Sequence, residues 1–253
     1  MKHRFRSATD PVEFGVKMNP MLKLPKVFRA PNLTELAYLS VKQHLLNGKL
    51  VEGSRLTEEA LSSQLGISKS PVREALTRLE SEGLIVIESR RGAYVRKFSI
   101  RETRDLYNVR ELLEVHAVGI ARLSPGLLRD LAESIERTRY HLEHGDMIAH
   151  VEEDIRFHSM IAAATENEEL CRILENVQHK SLLSRAKTYH LSATTAPVSH
   201  QKIYRALKAG DRAAAQQAMS EHIAFVRDTL LESLQFADAA VAEMEAATVG
   251  AGF

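Results

Sequence analysis

Cysteine is nearly absent from this chain, whose 253 residues contain only Cys171. A single cysteine excludes an intrachain disulfide framework and a cysteine-based zinc finger, and it fits a reducing cytoplasm. Cys171 itself reads as a small apolar residue on a helix. Long apolar runs are missing too. No stretch approaches the ~20 apolar residues that a membrane helix needs, and residues 1–30 lack the compact apolar core of a signal peptide. The expectation is a cytoplasmic protein with no membrane partner. Strand signals vanish after Ser99, which leaves helices as the only regular structure expected in the larger part of the chain.

The composition, 44% hydrophobic and 26% charged, supports two cored domains. The net charge of +1 conceals a division. Residues 1–98 carry 17 Lys and Arg against 10 Asp and Glu, whereas residues 99–253 carry 17 against 23. A basic N-terminal part attracts a polyanion while the acidic remainder stays off it, the electrostatic footprint of a modular nucleic-acid binder.

Residues 1–31 are basic, are interrupted by Pro11, Pro20, Pro25 and Pro31, and show no period, so they read as a flexible arm. Leu36, Ala37, Leu39, Val41, Leu45 and Leu46 mark a first helix, closed by Gly48. Thr57 caps a second, which Gly66 ends. A third follows the turn Gly66-Ile67-Ser68, with Pro71 in its first turn and a core stripe of Val72, Ala75, Leu76 and Leu79. Gly83 stops it. Two β-prone runs, Leu84 to Ile87 and Ala93 to Val95, flank a basic tip at Arg90 and Arg91.

The fold class is therefore mainly α: a winged helix-turn-helix over 32–98, an all-α bundle over 99–238, and a flexible Ala- and Gly-rich tail over 239–253. In the bundle, Ser99 to Glu102 fits a capping box, Ser124-Pro125 restarts a helix, and Gly145-Asp146 separates two more. Thr165 to Glu168 fits a second box, the tract Ser192 to Pro197 breaks the pattern, and Gly210-Asp211 joins the last two helices, giving about six in all.

The third helix has what a DNA-recognition helix needs. Ser68, Lys69 and Ser70 bring hydroxyls, an ammonium and free backbone N–H groups to its start, where phosphate oxygens are favoured. Arg73, one turn in, offers a bidentate fork to a guanine. Arg78 farther along the helix completes that set, and Arg90, Arg91 and Gly92 at the wing tip suit the minor groove or its phosphates. A protein-binding winged helix with ordinary surface cations is the alternative.

Across Leu61, Leu65 to Ser68, Ser70-Pro71-Val72-Arg73-Glu74-Ala75-Leu76, Leu79, Glu82-Gly83-Leu84 and Arg91 to Val95, the chain resembles the GntR family of bacterial repressors. The resemblance implies a homodimer on an inverted-repeat operator in double-stranded DNA, with Arg73 reading a guanine. This chain departs from the pattern at Glu59, where many relatives carry an arginine.

Metal-type residues gather farther on. Asp154 and His158 stand one helical turn apart on one face. His200 and His222 lie at nearly equal distances from Gly210, so an antiparallel hairpin turning there places them level. Alone, the first pair reads more often as a surface hydrogen bond or ion pair than as a metal site; all four together form a mixed N/O set suited to zinc first, or to nickel, manganese or iron. The other histidines, including His116, His141, His144, His150, His179 and His190, read as surface or packing residues.

Residues 100–235 resemble the FCD ligand-binding domain of the FadR subfamily, through Leu106, Arg110 to Glu114, Asp154 to His158, Ala162 to Asn167 and His200 to His222. In metal-containing members an Asp and three His hold one ion, and those positions fall on Asp154, His158, His200 and His222. Six helices point to the shorter, VanR-like variant. Arg110 is either a clamp for a small carboxylate effector or an i,i+4 partner of Glu114, and Tyr204 is a further candidate for the pocket. The expected function is a DNA-binding regulator, a repressor, controlled by a carboxylate metabolite at a metal site, and not an enzyme. A metalloenzyme with a winged-helix appendage and a purely structural metal are the alternatives. No general base is evident, since Glu153 points about 100° away from Asp154 around the helix.

Overall fold

The computed structural model describes residues 32–185 and 188–250. The expected N-terminal arm lies outside them, and every contact below lies within the unit Leu33–Phe253.

The first domain runs α1 (Leu33–Leu46), β1 (Arg55–Leu56), α2 (Glu58–Leu65), α3 (Lys69–Ser81), β2 (Ile85–Glu88) and β3 (Gly92–Val95). The Thr57 hydroxyl accepts from the Ala60 N–H to start α2, and Gly66 ends it in the left-handed region at φ 65°. The stripe on α3 is buried against Ala37, Tyr38, Val41 and Leu45 of α1. The sheet is antiparallel in the order β1-β3-β2, with Glu88 opposite Gly92 at the wing. β1 has no sequence signal because two residues carry no period.

The second domain holds α4 (Ile100–Ile120), α5 (Pro125–Glu143), α6 (Met147–Ala163), α7 (Glu168–Ser184), α8 (Tyr189–Ala193), α9 (Ala196–Ala209) and α10 (Arg212–Gly250). Ser99 and Glu102 form the expected capping box. Their geometry, with the Arg96 guanidinium beside it, takes the Glu102 carboxyl down to about 2. The start of α7 differs from expectation: Asn167, not Thr165, caps it by accepting from the Leu170 N–H. The Thr165 hydroxyl is already bonded to the Ala162 carbonyl, and Glu166 at φ 57° turns the chain between them.

The expected count of six is corrected to seven helices among the described residues. The extra one is α8, five residues long, anchored by the buried Tyr189 ring against His150. Too short to show a period, it hides in the tract read as a break, and helix number no longer argues for the shorter variant. The backbone of α10 stays helical to Gly250, past the point where the tail was expected to begin.

Tyr107, Leu131, Phe157, Ile161, Leu174 and Ile203 form the centre of the bundle core. One helix belongs to both domains. Leu183 of α7 is part of the winged-helix core, and Asn176 donates to the Glu82 carbonyl at 3.0 Å.

Candidate functional site

On the DNA-reading face, Arg73 is two-thirds exposed, and its fork is engaged by Glu58 through Nε and Nη2, both at 2.7 Å. Lys69 stands 3.6 Å from Glu59, the residue that breaks the arginine pattern. Ser68 caps α3 without a side-chain bond, and the Ser70 hydroxyl reaches only to Glu74 at 3.5 Å. Both hydroxyls are exposed. At the wing, Arg90 takes φ 65°, Arg91 is exposed 3.4 Å from Glu88, and Gly92 at φ 106° turns the chain into β3, a conformation that favours glycine.

Arg78 does not join them. Its guanidinium lies over the Tyr38 ring at 3.5 Å, bonds Glu35 at 2.6 Å and stands 3.6 Å from Glu82. It braces α3 against α1, so its place in the DNA-reading set is withdrawn. The decisive partner, Glu35, is remote in sequence, where helix periodicity cannot register it.

The four metal-type residues do converge. Asp154 and His158 come from α6, His200 from α9 and His222 from α10; all are buried, and their ligand atoms lie within 4.8 Å of one another. Opposite ligands on an ion with bonds of ~2.1 Å stand about 4.2 Å apart, so a slight closure accommodates one. The imidazoles pack with ring centroids 5.0–5.2 Å apart, and Phe157 stacks on His200 at 4.0 Å. His158 Nε2, both ring nitrogens of His200 and Nδ1 of His222 are buried with no hydrogen-bond partner among the described residues, while His158 Nδ1 is held by Glu114. Buried ring nitrogens left unpaired in this way are costly unless something binds them, and three imidazoles with one carboxylate suit a divalent transition metal.

Burial and neighbouring charges favour the binding forms of Asp154, His200 and His222. Burial alone would raise the Asp154 pKa, but the Arg185 guanidinium, 2.6 Å from Oδ2, with His158 and His200, holds it well below the usual range. Burial, reinforced by the neighbouring imidazoles, pushes His200 down and takes His222 to about 3. Around them, Glu114 contacts His158 Nδ1 and receives Arg110 Nε at 2.7 Å and Gln178 Nε2 at 3.4 Å.

Arg110 therefore makes the i,i+4 bridge, and this bridge is wholly buried beside the centre. Tyr204 sits at the edge of the apolar core with Lys208 over its ring. Glu153, excluded as a base from helix geometry, is bonded to Ser134 and Arg137. Sequence reasoning missed Arg185 and Gln178. Gln178 lies within α7 and Arg185 caps its end, in a segment without a motif, and no local pattern points to them.

The comparisons agree with this architecture. Residues 33–95 match the family described as bacterial regulatory proteins, gntR family, and residues 105–225 match the FCD domain. The chain is 29% identical over 212 residues to the HTH-type transcriptional regulator LutR of Bacillus subtilis, covering 73% of this chain and 94% of that one. It is 24% identical over 207 residues to the HTH-type transcriptional repressor RspR of Escherichia coli, covering 78% and 89%. Among solved structures, E. coli McbR/YncC superposes with a TM-score of 0.72 at 26% identity, over 79% of this chain and 98% of that one. The chain thus belongs to the GntR family of bacterial regulatory proteins, in the form that carries an FCD domain, and it is a transcriptional regulator rather than an enzyme.

Proposed function

We propose that this chain is a cytoplasmic, homodimeric repressor whose affinity for an inverted-repeat operator is set by a small carboxylate bound at a divalent metal in the C-terminal domain. The observation that carries the reading is the convergence of Asp154, His158, His200 and His222 with orphaned ring nitrogens. A metal held there supplies Lewis-acid positions beyond its four protein ligands for a carboxylate oxygen. Zinc is the first choice, with nickel, manganese or iron as alternatives.

The chain's own residues supply the rest. Arg185 fixes Asp154, and Glu114 orients His158, which sets how the ligand atoms point. Arg110 lies beside them with its Nε hydrogen-bonded to Glu114. A cleft of about 380 Å³, bordered by Thr195, Ser199, Lys202, Glu221 and Phe225, has His222 in its wall. On the far face of α4, Leu112 is 73% exposed beside Val109, which supports pairing with a second copy.

Helix α7 supports coupling between the two sites. It reaches the metal-type centre through Gln178 and the reading domain through Asn176 and Leu183. A ligand that shifts α7 changes operator affinity by its differential affinity for the two arrangements. The test is elemental analysis of protein purified without chelator, followed by operator titration in metal-loaded and metal-stripped states. Absence of metal together with failure to bind zinc, nickel or manganese would sink the reading.

A further inference from the structure

The buried groups around the centre narrow the effector beyond a carboxylate of any kind, provided that the centre is an effector site as proposed above. The first observation is a set of donors with nothing to donate to. Arg185 Nε and the Tyr107 hydroxyl are buried without a hydrogen-bond partner among the described residues, although Arg185 Nη2 is fixed on Asp154 at 2.6 Å. The Arg110 guanidinium lies 5.8 Å from the centre of the Tyr107 ring. Tyr107, Arg110 and Glu114 share the inward stripe of α4, and the end of α7 brings Arg185 to them. Donors gathered in this way call for a ligand end made of acceptors.

The second observation is the balance of charge. Arg110 and Arg185 are matched by Glu114 and Asp154, all four with side chains no more than 7% exposed. Before any metal enters, these two carboxylates and two guanidiniums cancel, and the neighbouring Glu153 is paired with the half-buried Arg137. A divalent ion on the four ligands adds two positive charges that no buried residue in this group offsets. A monocarboxylate would leave one of them unmatched in a medium that penalises net charge. A dianion would leave none.

We infer that the effector is a small dicarboxylate, with one carboxylate at the metal and the other on Arg185 Nε and the Tyr107 hydroxyl, beside Arg110. Its two ends divide the two negative charges, one for the metal and one for the donors of Arg185 and Tyr107. Inorganic phosphate carries comparable charge but places it at one end.

Calorimetric titration of the zinc-loaded, full-length protein tests this with malonate, succinate and glutarate, the monoamide of each, butyrate and inorganic phosphate. The best dicarboxylate is expected to bind at least about tenfold tighter than its own monoamide, because the amide leaves a buried cation unmatched. Tyr107→Phe, which removes one oxygen and keeps the ring, should weaken the dicarboxylate several-fold and its monoamide hardly at all. Arg185→Lys should weaken the dicarboxylate more, and zinc content measured in each variant separates lost ligand contact from lost metal. Equal affinity for diacid and monoamide, or phosphate binding tighter than every dicarboxylate, overturns the inference and leaves the proposed effector site standing. If no carboxylate binds the zinc-loaded protein, the effector reading falls with it.

Discussion

The side-chain amide of Asn176 donates to the backbone carbonyl of Glu82, 3.0 Å away, and so ties α7 of the helical bundle to the end of the recognition helix. Seven residues farther along α7, the Leu183 side chain is buried in the core of the reading domain. Between them, Gln178 faces the opposite way, toward Glu114 and the centre. One helix therefore contacts both the reading domain and the surroundings of the centre.

Asn176→Ala is expected to loosen that tie at a cost of about 1 kcal/mol, while metal content and operator binding persist. What should shrink is the difference in operator affinity between zinc-loaded and chelator-treated protein, read by fluorescence anisotropy at one salt concentration. An undiminished difference would show that α7 is not the coupling element. Leu183→Ala should have a larger effect on stability, roughly 2–5 kcal/mol, because it opens a cavity in the small domain.

On the reading face, Arg73 must leave Glu58 before it can read a base. Arg73→Ala should weaken operator binding by roughly tenfold or more and relax discrimination at one base, whereas Lys69→Ala should weaken all sequences alike and flatten the salt dependence. Glu58→Gln removes the competing carboxylate and should tighten binding, most visibly at low salt. Equal operator affinity for wild type and Arg73→Ala would remove the assignment.

For the centre, His200→Ala and His222→Ala should abolish stoichiometric metal, about one ion per chain in the wild type. Arg185→Ala should cost about 10–100-fold in metal affinity through the loosened Asp154. Competition against a chromophoric chelator measures both effects.

His179 gives a pH signature. It is buried between α7 and the reading domain, and burial, with Lys42 nearby, lowers its pKa to about 4. The unfolded chain binds this proton near pH 6.5 and the folded chain does not, so stability is whole above that pH. It is lost as pH falls toward 4, by at most about 1.4 kcal/mol per unit. His179→Gln should remove this part of the acid sensitivity in thermal unfolding of chelator-treated protein; unchanged pH dependence in the variant would contradict it.

The sequence by itself determined the elements whose signals are local. The capped and glycine-closed helices α2 and α3, the wing around Arg90 and Arg91, and the Ser99–Glu102 box follow from spacing within a few residues. The four metal-type residues were legible too, because i,i+4 spacing and a glycine-turned hairpin fix relative positions without knowledge of the rest. Only the tertiary structure decided what depends on partners distant along the chain. It removed Arg78 from the reading face by pairing it with Glu35, placed Arg185 on Asp154 across 31 residues, and set Gln178 on Glu114 across 64. Periodicity tells which side of a helix faces inward, but which groups meet there is fixed by how helices pack. The buried charge balance that defines the centre therefore exists only once the chain is folded.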